Sequence, residues 1–447
     1  MASDLLSIAR SGVQAARIGL DVTAQNIANA SSTGYVRRSA AFREVASTGG
    51  AYRIGDLSLS GVRLDGIVRN ADAFRQAEVR RTGSDVARAQ AEVSGLQNIE
   101  AAIEQSGVFD AIVGFESSLQ QLTQNPTDTS LRASVIEKAR TMVGTFRITS
   151  QEMDAAADGL RFLASDGVTQ VNRIAQELAR TNTRLSRVSD ASSDKTALLD
   201  QRDKLLEELS GYANIATEFS ADGQVAVKIG GTSGEDLVTG NAAATMAIAT
   251  SPTDGTVSYT VGGQSVTLAG GSLAGQQLAL AKGAQLKTDL DTLAGKIIDK
   301  FNMAQTGGRD LDGAMGVAIF SGTTAATMAL AVEDGRKIAT APASATTPGS
   351  RDAANLTAIR TALAGVNPSG AMDAILFDVS GTLAGRKVTL GALQTIADTA
   401  KVALSAQSGV DLDQEAVNLV RFQQAFQASG KVMQVSSDIF DTLLQIR

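Results

Sequence analysis

The 447-residue chain contains neither cysteine nor histidine. It therefore has no thiol nucleophile, no imidazole general base and neither of the two commonest transition-metal ligands, which closes most familiar catalytic constellations. Without cysteine there is also no disulfide to record a redox compartment. Tryptophan is absent, aromatics make up only 4%, and proline occurs five times, while Ala, Gly, Ser, Thr and Gln are abundant. Such a composition points to thin helical layers with small contact residues rather than one large core. No membrane span is expected: Val257 to Ala281 carries no charge, but Gly, Ser, Thr and Gln interrupt its apolar residues throughout. The N-terminal segment carries Asp4, Arg10 and Arg17 and lacks a continuous apolar stretch, so no cleaved signal peptide is expected. A formal charge of −7 argues against nucleic-acid and anionic-membrane partners.

What is present reads as a soluble, foldable chain with 43% apolar residues and room for two to four domains. Pro126 alone interrupts the first 250 residues, and the other prolines lie at 252, 342, 348 and 368, which marks a helical first half. Residues 3 to 29 repeat small or apolar positions at spacings of three and four, with one row through Leu5, Ile8, Gly12, Ala15, Gly19 and Val22 and another through Leu6, Val13, Ala16, Leu20 and Ile27. The last helix, from about 411 to 447, opens with Asp411, Asp413 and Glu415, acids that suit a helix N-terminus. Its rows run through Leu419, Phe422, Phe426, Met433, Phe440 and Leu443, and through Ala425, Ala428, Val432, Val435, Ile439 and Ile446. Two rows on each helix exceed one seam and imply contacts on more than one side. Residues 1 to 40 hold four Arg against two Asp, and 405 to 447 hold three basic against five acidic residues, so the ends attract weakly and apolar burial must dominate their pairing. Until they assemble, such Ala- and Gly-rich ends are expected to be poorly ordered.

Between the ends, residues 83 to 122 predict a helix stopped by Asn125 and Pro126. A long one follows from Asp128, with a stripe through Val135, Met142, Phe146, Met153, Leu160, Leu163, Ile174, Leu178, Leu185 and Val188. A shorter helix through Leu198 to Leu209 closes at Gly211. Short β-type runs separated by Asp-Gly and Gly-Gly then occupy 213 to 280, and helical periodicity returns at 284 to 304 and 352 to 364, with mixed Gly/Thr-rich stretches between these and near 366 to 390. The expected fold is mainly α with an inserted β domain. Its parts are a terminal coiled-coil assembly domain (1–40 and 405–447), an elongated helical body (41–212, 281–320 and 350–404), one β-rich outer domain (213–280) and a Gly/Thr-rich connecting segment (321–349).

The segment Asn26-Ile27-Ala28-Asn29-Ala30-Ser31-Ser32-Thr33-Gly34-Tyr35-Val36-Arg37 reads physically as a helix stop and turn. Asn26 and Asn29 can bond local backbone, Gly34 permits a positive φ, and Tyr35 with Arg37 can anchor the turn on an adjoining helix. It also resembles the N-terminal signature of the bacterial flagellar axial proteins, and the run from Gly409 to Ala428 resembles their closing helix. Three internal segments are similar to the hook–filament junction members of that superfamily: Leu198 to Ser210 with its Leu-Asp-Gln-Arg-Asp core, Asn125-Pro126-Thr127-Asp128 with Arg132, and Phe301-Asn302 through Gly308-Arg309-Asp310-Leu311-Asp312-Gly313 to Phe320. The third departs from the usual pattern, with Ala304 and Gln305 where a His commonly stands.

The resemblance implies an extracellular structural subunit of the flagellum, exported unfolded through the flagellar secretion channel. It would self-assemble as a tubular layer between hook protein and a second junction protein, and be held before assembly by a secretion chaperone on the C-terminal helix. No cofactor, metal or catalytic residue is expected. The rival readings are another axial protein such as a hook or rod subunit, a generic coiled-coil interaction protein, and a cell-wall hydrolase using Asp200 with Asp203 or Asp411 with Asp413. Those acids read instead as helix-capping or solvated-face charges.

Overall fold

The computed structural model describes residues 2–32, 34–48, 57–188 and 193–445. The first helix, α1 (Ala2–Ala28), runs into a long antiparallel hairpin, β1 (Arg38–Thr48) with β2 (Leu57–Arg69). Helices α2 (Ala73–Glu104), α3 (Val108–Gln124), α4 (Thr129–Leu185) and α5 (Ser193–Tyr212) follow. Next come strands β3 (Ile215–Phe219), β4 (Val225–Ile229), β5 (Glu235–Thr239), β6 (Ala242–Ala243), β7 (Met246–Thr250), β8 (Val257–Val261) and β9 (Gln264–Val266). Helix α6 (Gly271–Thr306) leads into a strap at 308–353 that holds only two-residue strands and one 3-10 turn, and the chain then continues with α7 (Ala354–Val366), α8 (Pro368–Ser408) and α9 (Leu412–Gln445). This is a mainly α fold with an inserted β layer.

The axis of the body is α4. Asp128 caps it by accepting from the Ser130 and Leu131 amides at 2.8 and 3.1 Å, no proline interrupts it, and its 57 residues extend about 85 Å. Along it Val135, Met142, Phe146, Met153, Leu160, Ile174, Leu178 and Leu185 are buried. Leu163 is not; it is half exposed, and the buried face passes through Ala164, Val168 and Val171 instead. A strict heptad drifts by about 20° per repeat against the helix, so an extrapolated stripe leaves the buried face. Val188 lies beyond the last helical residue, Leu185.

The helix expected at 83 to 122 is two helices, broken at Gly107, which sits at φ 72° in the left-handed region. The expected β boundary at 280 falls earlier: α6 begins at Gly271, and Leu273, Ala274, Ala279 and Leu280 are buried in it. The uncharged run from Val257 is thus strand as far as Val266 and helix from Gly271, where burial rather than strand structure accounts for the missing charge. The Gly/Thr-rich stretch near 366 to 390 is also helix. Pro368 opens α8 after Asn367 takes φ 52°, and Met372, Ile375, Val379, Leu383 and Leu390 form its buried face.

The β layer comprises a four-stranded sheet, β3-β4-β5-β6, and a three-stranded one, β7-β8-β9. Both lie against α4, where the side chains of Asn172 and Asn182 substitute for strand partners. Asn172 exchanges two hydrogen bonds with the Met246 backbone, and Asn182 bonds Val225 on both its N–H and C=O as well as the Gly240 carbonyl. Val225, Val227, Ile229, Val257 and Tyr259 join the same buried cluster as the helices, so the layer has no separate core. Burial pushes the Tyr259 hydroxyl up, so it stays protonated and donates to the Leu273 carbonyl.

Candidate assembly site

Helices α1 and α9 pack along each other, and the hairpin covers a second side of α1. Close approach comes from missing side chains. A Cβ on Gly19 would stand 2.5 Å from the Phe422 ring, and one on Gly12 2.7 Å from the Ser429 hydroxyl, so the aromatic and the serine occupy the hollows that the glycines leave. Ala9, Ala16 and Val22 complete the buried face of α1. Of the apolar positions singled out in the sequence, Val13, Leu20, Leu419, Phe422 and Met433 are half buried. Leu5, Ile8, Ile27, Phe426 and Phe440 are exposed, as are Val417, Val420, Val432, Val435 and Ile439. The side chain of Leu443 and all of Thr33 and Ile446 lie outside the described residues.

The turn after α1 ties this pair to the body. Asn26, 1% exposed, is its centre. Its Nδ2 donates to the Arg38 carbonyl at 2.8 Å and to Glu415 Oε2 at 3.1 Å, while its Oδ1 accepts from the Arg38 amide at 3.0 Å and the Tyr35 hydroxyl at 2.9 Å. Burial raises the Tyr35 pKa and Arg38 opposes it, leaving a net upward shift that keeps the phenol a donor. Arg37 Nε donates to Glu415 Oε1 at 2.7 Å. Asn29 turns back to the Gln25 carbonyl and accepts from Ser32, and Gly34 adopts φ 79°. The two chain crossings between the helix pair and the body are stitched side by side: the Arg37 amide donates to the Ser408 carbonyl, the Asn70 amide to the Arg37 carbonyl, and the Asn70 side chain to the Gln407 carbonyl.

A second cluster lies at the hairpin base. Arg38 and Arg69 are register partners across β1 and β2. Both reach α5, Arg38 to Asp200 at 2.6 Å and Arg69 to Asp200 at 2.7 Å and Asp203 at 2.8 Å. Arg202 grips Asp203 at 2.6 Å, donates to the Gly223 carbonyl of the β layer, and stacks over Phe219 at 4.5 Å. Asp200 and Asp203 are thus not a solvated face; their side chains are only 18% and 11% exposed and are spent on arginine. The Leu-Asp-Gln-Arg-Asp segment is where hairpin, helical body and β layer meet.

The other two internal segments form a knot around the strap. Arg132, 1% exposed, donates to the carbonyls of Pro126, Gly335 and Ile338 and to Thr340 Oγ1. Gln305, standing near the usual histidine position, is fully buried and pairs with the Lys337 carbonyl and the Ala339 amide. Asn302 brackets Ile319 and Phe320, and the Phe320 ring meets those of Phe115 and Phe301 with centroids 5.8 and 5.0 Å away. In the sequence Glu415 reads as a helix-dipole acid rather than a partner, and neither Arg38 nor Arg69 is marked as a site residue. The adjacency of Arg37 and Arg38 was the available signal for one; nothing local marks Arg69.

Three family profiles match the chain. They are described as flagella basal body rod protein over residues 6–35, flagellar hook-associated protein FlgK helical domain over 93–320, and flagellar basal body rod FlgEFG protein C-terminal over 404–446. Flagellar hook-associated protein 1 of Salmonella typhimurium is 30% identical over 346 residues, a match covering 71% of this chain and 59% of that relative's length. The protein of the same name from Bacillus subtilis is 23% identical over 492 residues, covering 98% of this chain and 97% of the relative. The solved flagellar hook junction protein FlgK from Burkholderia pseudomallei superposes with a TM-score of 0.65 at 14% identity, over 74% of this chain and all of that one, a likeness that bears on fold alone.

Proposed function

Because the chain belongs to the flagellar hook-associated protein FlgK family, we propose that it is a structural subunit forming the junction layer between hook and filament of a bacterial flagellum. The observation that carries this reading is the α1–α9 pair, which buries one face of each helix within the chain and leaves apolar residues such as Leu5, Ile27, Val435 and Phe440 uncovered on the others. An isolated globular protein gains nothing from such a face; a tube built of neighbouring copies covers it.

The partners in this reading are further copies, hook protein on one side and a second junction protein on the other. A secretion chaperone covers Phe422, Phe426 and Phe440 of α9 before export to the cell exterior. The role needs no catalysis, cofactor, nucleic acid or membrane. The acids that a hydrolase would use are engaged by arginine at Asp200 and Asp203, and by the first α9 amides at Asp411. A strain lacking the chain is expected to make hooks without filaments and to shed flagellin into the medium. Normal filaments on that strain would refute the reading, and hooks failing to form at all would point to a rod or hook subunit instead.

A further inference from the structure

The outer face of α8 is built unlike a solvated one. From Phe377 to Val402, the positions that recur at three and four along one side are uncharged, and Phe377, Val388 and Val402 on it are 79, 76 and 69% exposed. Gly381 and Gly391 lie on the same side inside the helix, and a Cβ at either would meet nothing within 4 Å. Glycine and β-branched residues are poor helix formers, and a face turned to water is better served by Ala, Glu, Lys or Gln. Since no neighbour among the described residues requires these glycines, close approach by something outside the chain is the physical use left for them.

A similar pattern occurs on α4. Gly144, Ile148, Ala155, Gly159 and Phe162 follow one another along its outer side; Ile148 and Phe162 are exposed, and the two glycines again have open space around them. Ile148 and Ala155 also border an open groove of about 470 Å³ between α4 and α2. Helices α2 and α6 pack on each other and on both α4 and α8, so the two strips belong to different helices of one body. Two different surfaces on one chain are what a head-to-tail contact between copies needs, and such contacts close into rings or run on as helices. Lys387 and Asp398 border the α8 strip and Arg147 and Glu152 border the α4 strip, none of the four forms an ion pair among the described residues, and each strip thus offers the other a partner of opposite sign.

We infer that, within the layer proposed above, the α8 strip of one copy packs against the α4 strip of the next. This inference rests on that reading and adds a body contact to the terminal helices. The α8 strip is about 38 Å long and the α4 strip about 27 Å, so at about 10 Å width their overlap covers about 270 Å² per copy, a third of what a stable pair of proteins buries on each side. It does not pair soluble chains; it sets the neighbour's position once the terminal helices have assembled. Beyond the short break at Gly409, α9 also opens with exposed apolar residues, Leu412 and Val417.

Because the chain has no cysteine, introduced thiols report without background. In Val388→Cys and, separately, Val435→Cys chains, maleimide labelling is expected to be fast in the soluble protein and at least tenfold slower in isolated flagella. Protection at 435 with undiminished labelling at 388 overturns the inference and leaves the functional reading standing; loss of protection at both sites overturns the two together. Adding a short bismaleimide to flagella that carry Val388→Cys together with a cysteine in place of Ile148, Ala155 or Phe162 is expected to give chain–chain multimers from at least one pair and none from the single variants. Absence of multimers from all three pairs, or dimers from Val388→Cys alone, overturns the α8–α4 contact.

Discussion

Asn26 and Glu415, 389 residues apart in the chain, are joined side chain to side chain at 3.1 Å where each is 1% exposed. The amide is also bonded to Arg38 and Tyr35, so removing it strands several groups at once. Asn26→Ala is expected to cost about 2–3 kcal/mol at the turn, since buried unpaired groups cost about 1–3 kcal/mol each and water can reach some of them. The rate of protease cleavage between residues 28 and 38 measures it, with a rise of about thirty- to 150-fold expected at about 1.4 kcal/mol per factor of ten. In a double-mutant cycle Asn26→Ala and Glu415→Ala should be strongly non-additive.

The fit of Phe422 into the hollow at Gly19 makes a pair that can be broken and mended. Gly19→Val forces the ring away and should weaken α1–α9 packing by about 1–3 kcal/mol, the usual cost of overpacking. Swimming and filament attachment should fall, and Phe422→Ala in the same chain should restore part of both. Restoration by Phe422→Ala is the decisive result, because a helix weakened merely by valine propensity would not respond to it.

Burial raises the Asp203 carboxyl, but Arg202 and Arg69 outweigh it and hold the group below its usual value. A depressed carboxyl contributes stability that is present above its unfolded pKa, about 3.9, and is lost as pH falls through the folded value. The hairpin–α5 junction should therefore hold from neutral pH down to about 4 and loosen below it. Asp203→Asn should cost about 3–5 kcal/mol at pH 7 by leaving buried arginine charge uncompensated, and its melting temperature should fall less than the parent's between pH 4 and 2. Equal slopes for the two chains would remove Asp203 from the account.

Arg132 holds the strap by its fork of donors rather than by charge alone, and burial pushes its pKa down to about 10. Arg132→Lys keeps a charge but cannot serve carbonyls on both sides of the strap. Faster hydrogen exchange at 335–340, with α1 and α9 unaffected, is the expected outcome; unchanged exchange there would show the knot is held by Gln305 and Asn302 instead.

The sequence carried the long and strongly capped elements well. Asp128 and the apolar period announce α4, and the acids at 411 to 415 announce α9. It was less informative where one side of an element is small or uncharged for reasons outside the element. Helix α8 hides its period because Gly, Thr and Val fill its outer face, and the start of α6 resembles strand because burial removes its charges. The hairpin leaves a period-two trace in Leu57, Leu59, Val62 and Leu64, interrupted by Gly61 and easily passed over next to helical neighbours. At the candidate site, the helix stop was legible from Asn26 and Gly34, whereas the partners were not. Glu415, Asp200 and Asp203 meet their arginines only through tertiary folding, and each looks locally like an ordinary helix acid.

The stitching of the two chain crossings, Arg37 to Ser408 and Asn70 to both Arg37 and Gln407, has a mechanical consequence. Helices α1 and α9 form one pair, so a pull on that pair reaches the body through two crossings that are bonded to each other. Crossings tied together share the force, whereas a single crossing would carry all of it. The helix pair is in effect hung from a doubled strap.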